Sequence, residues 1–223
     1  MEQGQFLSAG RLAELRLDTA ELEARLAAAA PRRRRSPSAS ALRGDHDLNP
    51  DMFEPERPLT PAAVLVPIVE REEGATVLLT RRTDHLHDHA GQIAFPGGRV
   101  DPVDSGPVDA ALREAEEEVG LLRAAVRTVG QLDVYVTRTG FEVTPVVGIV
   151  QAPVDLVLDP FEVAEAFEVP LAYFLAAGSR QMHSRILNGA ERHYYVYPYE
   201  SYYIWGATAG MLNNLAEILG VRD

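Results

Sequence analysis

The chain has no cysteine, and its 21 basic residues are all arginine, so lysine is absent as well. Without Cys there is no thiolate nucleophile, iron–sulfur cluster, Cys-ligated zinc or disulfide framework. Without Lys there is no Schiff-base chemistry and no Walker-type phosphate loop, whose Lys must reach the phosphates. The abundance of Ala, Arg and Leu points to GC-rich coding as the origin of the missing Lys. Basic charge is scarce in general. Thirty-three acidic residues leave a formal net charge of −12, which speaks against a chain that coats nucleic acid, because such proteins present a net basic face to release counterions. A polyanion can still be bound where metal ions and a few local arginines reverse the field. Long apolar runs are missing too, none approaching the roughly 20 residues of a membrane span. The start, Met1-Glu2-Gln3-Gly4, lacks the basic n-region of a signal peptide. The expectation is a cytoplasmic protein with neither nucleic acid nor a membrane as partner.

What is present is an ordinary globular composition, 46% hydrophobic over 223 residues, enough to bury one good-sized core. Residues 5–30 read as helical, with a capping-box pattern at Asp18–Glu21 and Leu22 and Leu26 as an i, i+4 apolar pair. The run Arg32–Arg35 and the prolines at 50, 55, 58 and 61 read as a solvated linker, with an anion-binding patch as the alternative for the arginines. The organisation expected is a helical segment and linker over residues 1–60 and one domain over 61–223. In that domain Ala62–Val69 and Ala75–Leu79 flank a turn at Glu72–Gly74, and Gln92–Phe95 is a short strand ended by Pro96-Gly97-Gly98. Pro107–Val119 is a helix with Pro in its first turn and Gly120 as its stop. Val126–Val136, Phe141–Val150 and Val163–Val169 read as strands and Leu171–Ala177 as a short helix. Asn188-Gly189 reads as a hairpin turn and Ala207–Leu219 as a closing helix. Strands interrupted by helices predict an α/β or α+β class, a mixed sheet covered by helices.

The informative segment is Arg113-Glu114-Ala115-Glu116-Glu117-Glu118-Val119-Gly120. At about 100° per residue, Glu114, Glu117 and Glu118 share one helix face. Like charges so placed repel by roughly 0.2–0.5 kcal/mol per close pair, unless a hard divalent cation such as Mg²⁺ or Mn²⁺ is held between them. A solvated acidic face is the plain alternative. Upstream, Phe95-Pro96-Gly97-Gly98 is a turn whose glycines allow close backbone approach, so amides able to donate to a phosphate would lie near carboxylates able to hold metal.

Together these residues resemble the Nudix box, G-x5-E-x7-R-E-U-x-E-E-x-G-U. Residues 113–121 fit its second half with Ala115 as a small U. In the first half Asp104 stands where Glu is expected, and the stretch from Gly98 to Arg113 is one residue longer. The preceding stretch, Leu78-Leu79-Thr80-Arg81-Arg82 through Phe95-Pro96-Gly97-Gly98, is similar to a pattern of coenzyme A-directed Nudix enzymes. Its departures are Thr83 for Ser or Ala and His87 for Arg. The resemblance covers roughly residues 60–220 and implies a Nudix-type α/β/α sandwich and hydrolysis of a diphosphate bond with Mg²⁺ or Mn²⁺. It implies Glu114, Glu117 and Glu118 as metal ligands and catalytic residues, and Glu162, with Glu142 in reserve, as a further base or ligand. Arg82, Gly97, Gly98 and Arg99 are the implied substrate-binding residues. The substrate implied is coenzyme A, cleaved to 3′,5′-ADP and 4′-phosphopantetheine. The alternatives are a Nudix enzyme acting on ADP-ribose, NADH or an oxidised nucleotide, and a non-catalytic Nudix ligand sensor. A homodimer is the protein partnership left open. His85, His87 and His89 alternate but sit in a loop, which argues against zinc. The cluster Tyr194–Trp205 reads as strand and core packing, with adenine stacking as the alternative.

Overall fold

The computed structural model describes residues 19–33, 42–52, 58–85 and 90–220. Its frame is a mixed sheet built on strand β2 (Thr60–Glu70). Strand β3 (Thr76–Arg82) returns antiparallel to β2 across the expected turn, with Ile68 opposite Val77. Strand β8 (Phe141–Gln151) runs parallel to β2 along its whole length, Thr60 opposite Phe141 and Glu70 opposite Gln151. Short strands β1 (Arg43–Gly44), β4 (Ile93–Ala94) and β5 (Gly97–Arg99) join its borders, as do β6 (Val126–Gln131), β7 (Tyr135–Val136) and β9 (Val163–Pro170). Period-two alternation sorts the side chains to the two faces. Ala63, Leu65, Val69 and Leu78 pack on one side with helix α2 (Pro107–Val119). Ala62, Val66, Ile68, Val77 and Leu79 pack on the other, where helix α4 (Gly206–Ile218) contributes Leu212 and Leu215 and the short helix α3 (Leu171–Leu175) adds Phe174. Helices on both faces of a mixed sheet are the α/β/α sandwich expected.

Three local expectations change. Val126–Val136 is two strands rather than one, because Leu132 turns into the core, fully buried, and Asn214 accepts the Asp133 amide at 2.9 Å. Gly97-Gly98 continues as strand β5, with Ala63 opposite Gly98. A second, three-stranded sheet carries an extra strand: β10 (Gln181–Leu187) and β11 (Ala190–Tyr199) form the expected hairpin, and β12 (Tyr202–Trp205) adds to β11 after a turn through Glu200, whose φ is 50°. Tyr195, Tyr197, Tyr199 and Tyr202 face the core, while Tyr194, Tyr203 and Trp205 lie on the outer face beside Arg185 and His183.

The N-terminal helix α1 runs Thr19–Arg33. Arg32 and Arg33 therefore end a helix instead of opening a linker, while residues 5–18 and Arg34 and Arg35 lie outside the described residues. Leu22 and Leu26, 1% and 3% exposed, join the same apolar cluster as α4. Arg25 donates to the Leu219 carbonyl, and Thr19 Oγ1 donates to Glu70 at 2.6 Å. The expected linker is also partly tied down. Strand β1 pairs parallel with β7, and Asp45 accepts the Tyr135 hydroxyl at 2.9 Å and the Arg138 amide at 2.8 Å.

Since Leu22 is buried in the shared core, Leu22→Ala should cost about 2–5 kcal/mol, read as a lower denaturant midpoint for the whole chain, with the exposed Ala28→Ser close to neutral. An unchanged midpoint for Leu22→Ala would show that α1 does not contribute to the fold.

Candidate active site

Helix α2 is cut to length by its ends. Pro107 sits at N1, where its missing N–H is no loss. At the other end Gly120 adopts φ 69°, and the amides of Gly120 and Leu121 close back on the carbonyls of Glu116 and Ala115 at 3.0 and 3.3 Å. The face against the sheet is Ala110, Ala111, Ala115 and Val119, all fully buried. Small residues there let the helix lie close to β2, which explains alanine at position 115. The acidic face consequently rises at the helix flank beside β5.

Glu118 is the deepest of the three carboxylates, its side chain 5% exposed. It accepts the Gly97 amide at 3.3 Å and stands 3.7 Å from Arg82 Nη1. Burial pushes its pKa up to about 8, outweighing the pull of Arg82, and the charges of Glu162 and Glu114 raise it further. Glu114 is also shifted upward by burial, against the lowering effect of Arg113. Its carboxyl fills the space where Gly98 would carry a side chain, since a Cβ there would lie 2.5 Å from Glu114 Cδ. A Cβ on Gly97 would instead strike the backbone of Ala63 and Val64. The Gly97 amide, expected to donate to phosphate, donates to Glu118 in this arrangement.

Arg113 draws the rest of the box together. It makes a two-pronged pair with Asp104, both N···O distances 2.9 Å, and reaches Glu114 at 2.8 Å, Glu117 at 3.3 Å and the Arg99 carbonyl at 3.1 Å. Asp104 is held near pKa 2, chiefly by this guanidinium. The additional residue in the loop is absorbed by a turn in which Asp104 accepts the Asp101 amide at 2.7 Å and donates its own to the Asp101 carbonyl at 3.0 Å. Glu117 remains open to solvent, its side chain 61% exposed.

Glu162 arrives from a distant segment by backbone docking. The amides of Val157 and Asp159 donate to the carbonyls of Val119 and Glu118, each at 2.9 Å, satisfying groups at the C-terminal end of α2. Asp159 then accepts the Phe161 amide at 2.9 Å, and the Thr83 amide and hydroxyl fasten to the carbonyls of Glu162 and Phe161 at 3.0 and 2.8 Å. The outcome places Glu162 Oε2 3.7 Å from Arg82 Nη2, so one guanidinium bridges Glu118 and Glu162. Among the described residues none accepts a hydrogen bond from the buried Nε of Arg82. Glu142, the reserve, is the second residue of β8, opposite Pro61 and Val136. Arg99 lies outward, its guanidinium 5.7 Å from the Phe141 ring. His85 packs edge-on against the exposed Phe161 at 5.0 Å, and His87 and His89 fall outside the described residues.

The structure thus gathers Glu114, Glu117, Glu118, Glu162, Arg82, Gly97 and Gly98 around one end of α2, with Arg99 at its margin. Arg113 and Asp104, which carry the greatest number of contacts, were visible in the sequence only as box positions. Among the described residues no three acidic or histidine side chains yet converge on one metal-sized point, because Arg113 and Arg82 draw the carboxylates to themselves. The donor set nonetheless fits a hard divalent cation: it is all oxygen, anionic, and includes a buried carboxyl whose charge is under-compensated. Because Glu118 ionises near pH 4.5 when unfolded and near 8 when folded, the metal-free chain should lose stability as pH rises through that window. Urea midpoints measured in chelator should fall between pH 5 and 8, and Glu118→Gln should flatten the fall. A wild-type profile no steeper than that of the variant would contradict the assigned burial.

Comparison of the sequence with known proteins identifies the family. The NUDIX domain model matches residues 59–186. The chain is 48% identical over 161 residues to NudL of Yersinia enterocolitica, described as an uncharacterized Nudix hydrolase, covering 72% of this chain and 82% of that one. It is 44% identical over 161 residues to NudL of Escherichia coli, covering 72% and 83%. Among solved structures, a MutT protein of Methanosarcina mazei shares 27% identity over 55% of this chain and 84% of its own, with a TM-score of 0.43. Members of this family typically use divalent metal ions and act on small nucleotide-type substrates. The chain belongs to the Nudix family and is a Nudix pyrophosphohydrolase.

Proposed function

We propose that the chain cleaves the diphosphate bond of coenzyme A, releasing 3′,5′-ADP and 4′-phosphopantetheine, with Mg²⁺ or Mn²⁺ bound by Glu114, Glu117 and Glu118. The observation that supports this reading is the position of the segment 78–98. Its Arg82, at the end of β3, stands 3.7 Å from Glu118, and its Gly97, in β5, donates its amide to Glu118 at 3.3 Å, so the stretch that resembles coenzyme A-directed enzymes borders the acidic helix face at two points. The cation, when bound, neutralises the diphosphate and lowers the pKa of an attacking water. The chain's own residues do the rest. Gly97 and Gly98 keep the strand bare enough for Glu114 and Glu118 to lie against it. Arg113 fixes the spacing of Glu114 and Glu117. Arg82 offers a planar, permanently charged fork to a phosphate oxygen, which would replace its long contacts to Glu118 and Glu162. Glu162, released from that pairing, would accept the proton of the water. ADP-ribose, NADH or an oxidised nucleotide is the second reading, since the same carboxylates serve any such diphosphate.

The test is turnover by purified protein of coenzyme A, ADP-ribose, NADH and 8-oxo-dGTP, each with Mg²⁺ or Mn²⁺. Coenzyme A should show the highest kcat/KM, and Glu117→Gln and Glu118→Gln should each lower it at least about 100-fold, in line with losing a charged metal ligand. Arg82→Ala should reduce kcat/KM for coenzyme A more than for ADP-ribose, and His87→Arg should improve coenzyme A use. Preference for another substrate would replace this assignment, and near-normal activity in both Gln variants would remove the metal roles.

A further inference from the structure

The hairpin β10–β11 ends one sheet in an edge with unusual features. Its turn, Asn188-Gly189, has positive φ at both residues, 52° and 79°, as a two-residue type I′ turn requires. Leu187 and Ala190 flank that turn in register, so they form a hydrogen-bonded pair, and alternation then directs the main-chain groups of Gln181, His183, Arg185 and Leu187 toward β11. The amides and carbonyls of Met182, Ser184 and Ile186 consequently point away from it, along the sheet's border. Met182 and Ile186 are 62% and 71% exposed. Edges are normally blunted by charged side chains, lysine above all, by proline or by a bulge, and the charge that β10 carries at Arg185 is turned onto the Tyr194 and Trp205 rings. The chain has no lysine, residues 181–187 contain no proline, and the register with β11 runs unbroken over seven pairs.

We propose that this edge is a self-association surface, on which β10 of a second copy pairs antiparallel about a two-fold axis at Ser184 and joins the two small sheets into one of six strands. The register follows from which groups are free. Centring the axis on Ser184 sets Ser184 opposite its own copy and Met182 opposite Ile186 of the other chain, twice. Those three positions carry the outward amides and carbonyls, so every free group in the stretch finds a partner, and each of the two large apolar side chains gains an apolar neighbour directly across the strands. A shift of one residue would oppose amides already used by β11, and a shift of two in either direction would set both Met182 and Ile186 opposite polar residues. The contact is isologous, so it closes as a dimer and does not propagate. Strand pairing alone buries less than the roughly 1,000 Å² of a durable interface, so the dimer should be weak and concentration-dependent.

The test uses the full chain. Sedimentation should show dimer growing with concentration, and hydrogen exchange should show Met182, Ser184 and Ile186 amides exchanging fast when dilute and becoming protected when concentrated. Ser184→Pro deletes an outward N–H that β11 does not need, and should leave a folded monomer. Since proline could disturb the strand, a charge pair provides a second arm. Met182→Lys with Ile186→Lys opposes like charges and should abolish the dimer, whereas Met182→Glu with Ile186→Lys opposes unlike charges and should retain it. All four proteins should have the same specific activity. A wild type that stays monomeric to its highest soluble concentration overturns the proposal. So does a dimer that survives the double-lysine change, or one that leaves those three amides unprotected.

Discussion

A carboxylate removed from water must be compensated by charge or hydrogen bonds, or else take up a proton, and the site depends on how that requirement is met at Glu118. One long contact from Arg82 and one amide from Gly97 do not satisfy it, which is why the carboxyl is pushed up to about pKa 8. Its burial is imposed by the fold. The alanine face of α2 brings the helix close to β2, and the C-terminal end of the helix is sealed by the segment that carries Val157 and Asp159. That same seal delivers Glu162 to Arg82. The deficit of positive charge and the convergence of the segments therefore have one cause, the close docking of a short acidic helix between a glycine strand and a returning loop.

Around this deficit the chain distributes arginine, its one permanent cation in the absence of lysine. Arg113 and Arg82 differ in consequence. Arg113 is saturated by a two-pronged pair with Asp104 plus Glu114 and Glu117, which suits a fixed strut. Among the described residues, the Arg82 guanidinium meets its carboxylate partners at 3.7 Å and its buried Nε has no hydrogen bond, so it is far less saturated than Arg113.

Much of this was legible in sequence. Helix α2 could be bounded to the residue because Pro107 and Gly120 act locally, and the facing of Glu114, Glu117 and Glu118 follows from helical period alone. The hairpin turns at Glu72–Gly74 and Asn188-Gly189 carry their own backbone chemistry. What was not legible depends on distant contacts. Strand β12 follows a turn at Glu200 with no glycine or asparagine to mark it. The need for glycine at position 98 comes from the carboxyl of Glu114, across the site. The role of Asp104 depends on how one extra loop residue is accommodated, and the docking of α1 through Leu22 and Leu26 is tertiary, since an amphipathic helix does not announce what it will cover.

The central claim is that the acidic face of α2, anchored by Glu118, binds a divalent cation. The most direct measurement is titration of the purified, metal-stripped chain with Mn²⁺, following free Mn²⁺ by its electron paramagnetic resonance signal and comparing wild type with Glu118→Gln. The account predicts saturable binding in the wild type and at least about tenfold weaker binding in the variant, some 1.4 kcal/mol, with the fold unchanged. Equal affinity in the two proteins, or no saturable binding in either, would contradict it.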